Sequence, residues 1–274
     1  MLHDLSAWSL VPAVLALAGY ALVALPGRWP VRWLLAGAWG AHGLAGLAHL
    51  LGLGFEQPGA HFGFAPALSA TAWMVLGVHA IESRFVPVPG VRRVLALLGA
   101  GALALALLFP GDGVHPGSPW APVHWLLGLA SYGLVGAAVL HAVWLDRAER
   151  ALRSRLAAPV KDALIDRPAL PLLTLERLTY QFVAAGFGVL TLALGLGVAV
   201  TPVWHWDHKT VFSVLGWAVL AALLVGRHTL GWRGRRATRW LYVGSALLLL
   251  AYVGSRFVLE VLLHRSPVQL VTGG

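Results

Sequence analysis

The chain predicts an all-α fold, a polytopic bundle of eight helices embedded in a lipid bilayer. Three observations carry that expectation. Hydrophobic residues make up 58% of the 274 positions and charged residues only 11%, whereas soluble domains run near a quarter charged. Eight stretches are apolar over roughly the 20 residues that a membrane-spanning helix needs. The 20 Lys and Arg gather in four of the connecting loops, and only Lys209, Arg256 and Arg265 stand apart from them. A nucleic-acid-binding protein clusters its bases on one soluble face. Alternate basic loops instead mark the cytoplasmic side of a multi-pass protein. The formal charge of +9 therefore reports topology, and the partner it implies is a bilayer, with no nucleic acid. The chain has no cysteine, which excludes disulfides, thiolate metal sites and thiol redox chemistry.

The first segment, about residues 5–25, follows His3 and Asp4 rather than basic residues and lacks a small-residue cleavage site, so it reads as a retained helix. The second, 32–54, carries Gly37, Gly40, Gly43 and Gly46, a pattern that lets helices approach closely in lipid. The third, fourth and fifth cover 62–83, 92–109 and 122–145. The basic stretch Asp146–Arg177 follows, with Pro159, Pro168 and Pro171. Its start, Arg147–Leu156, reads as a short helix at the membrane interface. The sixth segment, 180–200, has Gly186, Gly188, Gly195 and Gly197 and is expected to pack as the second does. The seventh and eighth cover 209–229 and 240–263. The basic loops join helices one to two, three to four, five to six and seven to eight. Both termini and the remaining loops then lie on the periplasmic side. No internal repeat is evident, and 1–274 reads as a single transmembrane domain.

Twelve histidines are many for such a chain, and ionisable residues in spans are functional candidates by default. The topology sorts them into layers. His61, His115, His124, His205, His208 and His264 lie on the outer side, and His79, His141 and His228 lie toward the inner side. His42 and His49 are two turns apart on one face of the second helix. A lone interfacial histidine such as His3, His115 or His205 also has an ordinary reading as a hydrogen-bonding residue. Trp8, Trp29, Trp120 and Trp125 fit an aromatic belt. The run Trp204-His205-Trp206-Asp207-His208-Lys209, set between two apolar segments, asks for more than a belt. Indole faces and imidazole nitrogens at a membrane surface are what a haem lies against and what binds its iron.

Four stretches resemble the cytochrome c assembly protein family, the haem-handling membrane proteins called CcsA, CcmC and CcmF. Pro119-Trp120-Ala121-Pro122-Val123-His124, with Ser131-Tyr132, is similar to the family's periplasmic histidine entering a helix. Leu175-Glu176-Arg177-Leu178-Thr179-Tyr180, with Gly186-Phe187, resembles the segment before its tryptophan loop. Trp204–Thr210 is similar to that loop, the WWD motif, in an abridged form. Gly231-Trp232-Arg233-Gly234-Arg235 and Tyr252-Val253-Gly254-Ser255 complete the pattern. The likeness is best over 119–264. His61-Phe62-Gly63-Phe64 resembles the short YpjD-like inner-membrane branch.

The resemblance implies a haem-binding membrane protein that handles or delivers haem b for cytochrome c assembly at the inner membrane. It implies that His124 and His264 bind the haem iron and that Trp204 and Trp206 stack on the porphyrin. Asp207, His208 and Lys209 complete the loop's contribution, with Lys209 or Arg265 pairing to propionates. His228 is implicated in haem passage, and His79, His141, His42 or His49 would pair with it. Partners implied are other assembly proteins and apocytochrome c. With no large periplasmic domain, haem lyase activity by this chain alone is not expected. Two other readings stay open: a non-haem accessory or regulatory protein linked to ion transport or tetrapyrrole metabolism, and a di-haem electron carrier.

Overall fold

The computed structural model describes residues 7–26, 30–55, 59–82, 91–114, 118–156, 172–201 and 206–263. Among these, eight long helices follow one another: α1 (Ala7–Ala24), α2 (Val31–Leu50), α3 (Phe64–Glu82), α4 (Val91–Leu108), α5 (Ala121–Leu156), α6 (Leu172–Val200), α7 (His208–Leu230) and α8 (Gly234–Leu249). The helix α8 continues into a π-helical extension, with wide turns at Leu250–Gly254 and Val258–Leu262 around a short α turn, Ser255–Phe257. Two strands, β1 (Ala60–Phe62) and β2 (Asp112–Val114), pair antiparallel, with His61 opposite Gly113. The chain is thus an all-α membrane bundle with one small ribbon at its end. His61, expected to open a helix, sits in that ribbon instead. Gly111, at φ +78, makes the turn into β2 beside the Phe62 carbonyl, a conformation that favours glycine.

Among the described residues six helices, not eight, are long and apolar enough to cross a membrane: α3 to α7, and α8 with its extension. Two of the expected spans fall short for different reasons. The described apolar part of α1 is Leu10–Ala24, which reaches only ~23 Å against a hydrocarbon core of ~30 Å. α2 has 20 residues, but four glycines, two histidines and Arg32 dilute its apolar character. α5 overshoots. Its 36 residues extend ~54 Å, so Arg147–Leu156 is no separate interfacial helix but the end of α5 carried past the apolar layer.

The core divides into two halves. Tyr20, Leu35, Leu76, Leu95 and Leu103 centre the first, between α1, α2, α3 and α4. Val135, Val183, Leu220, Leu223 and Leu241 centre the second, between α5, α6, α7 and α8. The halves meet along α3 and α5, where Gly133 and Gly136 lie under Met74 and Val75. They meet again where Phe64, Ala65 and Ala106 receive Val253 and Val261 of the extension. Tyr132 ties α5 to α8 by donating its hydroxyl to the Leu248 carbonyl.

The glycine stripe of α2 does not work as its spacing predicts. Gly37, Gly40 and Gly46 have no neighbour within 4 Å of where a Cβ would stand. Only Gly43 is a contact, and its partner is an indole. Trp39 Nε1 donates to the Trp73 carbonyl and Trp73 Nε1 donates to the Trp39 carbonyl, each at 2.9 Å. The two rings stack at 4.9 Å. Trp73 lies on Gly43 and Trp39 lies on Gly77, so the clasp between α2 and α3 is reciprocal. In α6, Gly186 meets Val135 and Gly197 meets His124, while Gly188 and Gly195 face no neighbour.

Candidate functional site

The site forms at the end of the bundle that holds the starts of α3, α5 and α7. His124 lies in the first turn of α5. Its Nδ1–H donates to the Ala193 carbonyl of α6 at 2.9 Å. A carbonyl only accepts, so the proton sits on Nδ1 and Nε2 keeps its lone pair, the form in which histidine binds a metal. Gly197 makes room for the ring, since a Cβ there would meet Cε1 at 3.0 Å.

Across from His124, α7 begins. Asp207 caps it, accepting the Thr210 N–H on Oδ1 at 2.7 Å. That satisfies a donor left unpaired at every helix start. Burial pushes the Asp207 carboxyl up, but the Thr210 hydrogen bonds and the Lys209 and His208 charges outweigh it and hold it below the ordinary aspartate range. The cap also sets the next side chains. Lys209 turns its ammonium to 5.9 Å from the Tyr252 ring, and its charge reaches both His124 and Arg256. Trp206 stands at the rim, 69% exposed, and His208 is exposed beside it.

The ribbon closes the same end. Phe62 of β1 packs on Trp125, next to His124, at 4.8 Å. Gly63 lies against Glu260 of the extension, where a Cβ would come within 2.9 Å of Oε2. The start of α5 and the end of the last helix are therefore neighbours of one strand. Phe55 stacks on His61 at 3.7 Å and meets His49 edge-on at 5.0 Å. Burial lowers the affinity of His61 for a proton; the His49 charge adds to this, while the Gly59 carbonyl and Asp112 oppose it.

Not every expected residue comes to this place. His228 is exposed in the last turn of α7, 19 residues from Lys209 and so ~28 Å away along the helix. It shares the opposite end with His79 and His141, the latter donating to the Ala137 carbonyl at 2.7 Å and stacking on Phe182. His42 is buried between helices of the first half, bonded to the Tyr20 hydroxyl at 3.0 Å and to Ser69 Oγ at 2.8 Å. Trp204, His205, His115, His3, His264 and Arg265 lie outside the described residues. Sequence reasoning gave Tyr252, Arg256 and Glu260 no role at the site. Their signal was present: they fall four apart in the last helix, and two of them are charges inside an apolar run.

What is present fits a haem. The end offers an imidazole with its Nε2 lone pair uncommitted by the Nδ1 bond, an exposed indole and cations from two helices.

Residues 41–263 match the cytochrome c assembly protein family. A 28.8 kDa protein of Azospirillum brasilense, described only by its nifR3-like 5' region, is 34% identical over 175 residues, 61% of this chain and 63% of its own. Inner membrane protein YpjD of Escherichia coli K12 is 31% identical over 165 residues, 58% of this chain and 60% of its own. The cytochrome c biogenesis protein CcsA of Parasynechococcus marenigrum is 26% identical over 217 residues, 69% of this chain and 71% of its own. The chain thus spans less than two thirds of the first two relatives. No solved structure matches it. With 41–263 matched and six helices fit to cross a bilayer, the chain is a multi-pass membrane protein belonging to the cytochrome c assembly protein family.

Proposed function

We propose that this protein binds haem b at the end of the bundle described above and hands it on during cytochrome c assembly. The observation that supports this most is the His124 imidazole. It is held by a backbone carbonyl through Nδ1, so Nε2 is the nitrogen left for iron, and Trp206 and Lys209 share its end of the bundle. His264 is the second iron ligand in this reading, and Trp204 joins Trp206 against the porphyrin face. Bound there, haem supplies the vinyl groups and iron that a cytochrome c needs. The chain's own part is to hold the macrocycle, exclude one face of it from water, and leave an edge open. Asp207 contributes by capping α7 and so fixing Lys209. His228, with His79 or His141, belongs to a second stop at the opposite end.

The finer topology goes with this reading. Both termini and the tryptophan loop face the periplasm of an inner membrane, the side opposite the basic loops. Apocytochrome c and other assembly proteins are the partners, and the chain alone is not a haem lyase. The test is visible absorption of purified protein titrated with haemin, comparing wild type with His124→Ala and His264→Ala. A Soret band that forms in wild type and weakens in both variants is expected. No band in wild type, or one unchanged in both variants, overturns the proposal and favours a non-haem accessory role.

A further inference from the structure

Arg256 stands apart from the basic loops. It sits in the short α turn between the two π turns of the last helix, and π turns often mark functional positions. Its side chain is 17% exposed and that of Glu260 11%. Their nearest approach, Arg256 Nη1 to Glu260 Oε1, is 3.7 Å, too long for a hydrogen bond. Both atoms are buried and neither has another hydrogen-bond partner among the described residues. Asp112 Oδ2, from β2, is buried and unpartnered as well, and its charge reaches Glu260. Buried polar atoms are normally satisfied, and leaving one unmet is costly. Here a guanidinium and a carboxylate face each other without closing.

The second cation is close by. Arg256 Cζ and Lys209 Nζ each lie 5.9 Å from the Tyr252 ring, so two positive charges from different helices stand near one tyrosine. Lys209 in turn reaches His124. A planar fork with an open N–H is shaped for a carboxylate. The internal carboxylate it now faces is a poor fit at 3.7 Å.

We infer that Arg256 is the receptor for a ligand carboxylate, with Lys209 as the second cation and Glu260 as the internal carboxylate that Arg256 faces until the ligand arrives. This rests on the haem reading and deepens it: the preferred ligand is a macrocycle with free acid groups. On binding, the ligand carboxylate hydrogen-bonds to the Arg256 N–H groups, and Glu260 is left to its other neighbours.

The experiment compares haemin with its dimethyl ester, titrated by absorption into protein held in phosphatidylcholine nanodiscs, where no anionic lipid competes. Charge-assisted hydrogen bonds of this kind predict about a tenfold to hundredfold preference for the free acid. Arg256→Gln is expected to reduce that preference by about tenfold, while Glu260→Gln, which removes the competing carboxylate, is expected to raise it. A merely structural pair would change stability and leave the acid-to-ester ratio alone. Equal binding of acid and ester by wild type overturns the inference but not the haem reading, and so does an unchanged ratio in Arg256→Gln. No absorption change with either compound overturns both. If Arg256→Gln does not fold, the wild-type ratio and the direction of its change in Glu260→Gln decide.

Discussion

Replacing Glu176 with glutamine tests how the second half is held at the end that carries Arg227 and His228. Glu176, in the first turns of α6, accepts from Arg227 Nη1 at 3.0 Å and from Arg233 Nε at 2.9 Å. Its side chain is 11% exposed and that of Arg227 is 26%. Arg227 also lies over the Tyr180 ring at 3.4 Å, and Tyr180 donates to the Trp232 carbonyl at 3.0 Å. One carboxylate therefore joins α6, the end of α7 and the turn into α8. Glutamine keeps the shape and one acceptor oxygen but removes the charge. Hydrogen bonds to charged groups contribute ~1.5–3 kcal/mol against ~1 for neutral ones, and Arg227 would be left half-buried without a counterion. Removing one partner of a fully buried pair costs ~3–5 kcal/mol. The partial exposure of Arg227 lowers the expectation to about 2–3 kcal/mol. Reversible unfolding in mixed micelles, followed by circular dichroism, measures it. Arg153→Ala is the control, since Arg153 and Glu149 form an i,i+4 pair at 3.2 Å with the arginine 65% exposed, and should move stability by less than ~0.5 kcal/mol. A Glu176→Gln protein as stable as that control would refute the reasoning.

Two further outcomes follow from the packing and the cap. In Gly43→Ala the new Cβ would meet Trp73 Nε1 at 2.9 Å, so the indole must shift and its bond to the Trp39 carbonyl lengthens. Overpacking of this kind costs ~1–3 kcal/mol, whereas Gly37→Ala, with open space, should be neutral or slightly stabilising, and equal effects in the same unfolding assay would contradict the clasp. Asp207→Ala should cost about 1 kcal/mol through the lost cap. Because the folded Asp207 titrates below its unfolded value, this contribution is fully present above about pH 4 and fades as pH falls through the lower folded value. A wild-type minus variant difference that grows on acidification would be the wrong sign.

The helices were legible because lipid imposes one pattern on them: long apolar runs broken by polar turns. All eight expected segments overlap a helix; α1 and α2 fall short as spans, and the remaining errors lie where that pattern says nothing. Hydropathy cannot tell that α5 continues through Arg147 into solvent, since helix propensity and not apolarity sustains it there. It cannot see β1 and β2, whose three-residue strands are held by pairing from one side of α3 and α4 to the other. Glycine spacing was a weak guide, because a stripe of small residues says only that close approach is allowed. An indole on Gly43 and an imidazole on Gly197 take up two of those places, and the other glycines of the two stripes, Gly186 apart, stay open.

For the site, composition singled out residues at one end of the bundle and only part of the chemistry found there. His124, Trp206 and Lys209 stand out in a sequence because aromatic and imidazole groups are rare at membrane surfaces in such density. Asp207 reads in the sequence as an acid of the tryptophan loop, and the Thr210 bond shows it capping α7. Arg256 and Glu260 were hidden for a different reason. A basic and an acidic residue four apart look like a routine helical pair, which needs no further partner. Only the spacing across the wide turns, 3.7 Å instead of a closed bond, turns that pair into an open receptor. The β ribbon makes the same point from the other side: Gly63 admits Glu260, and Phe62 packs on Trp125 beside His124. Phe62 at the end of β1 and Gly63 just after it thereby bring the end of the last helix next to the start of α5, a juxtaposition that depends on the first half of the chain although the resemblance is best over the second.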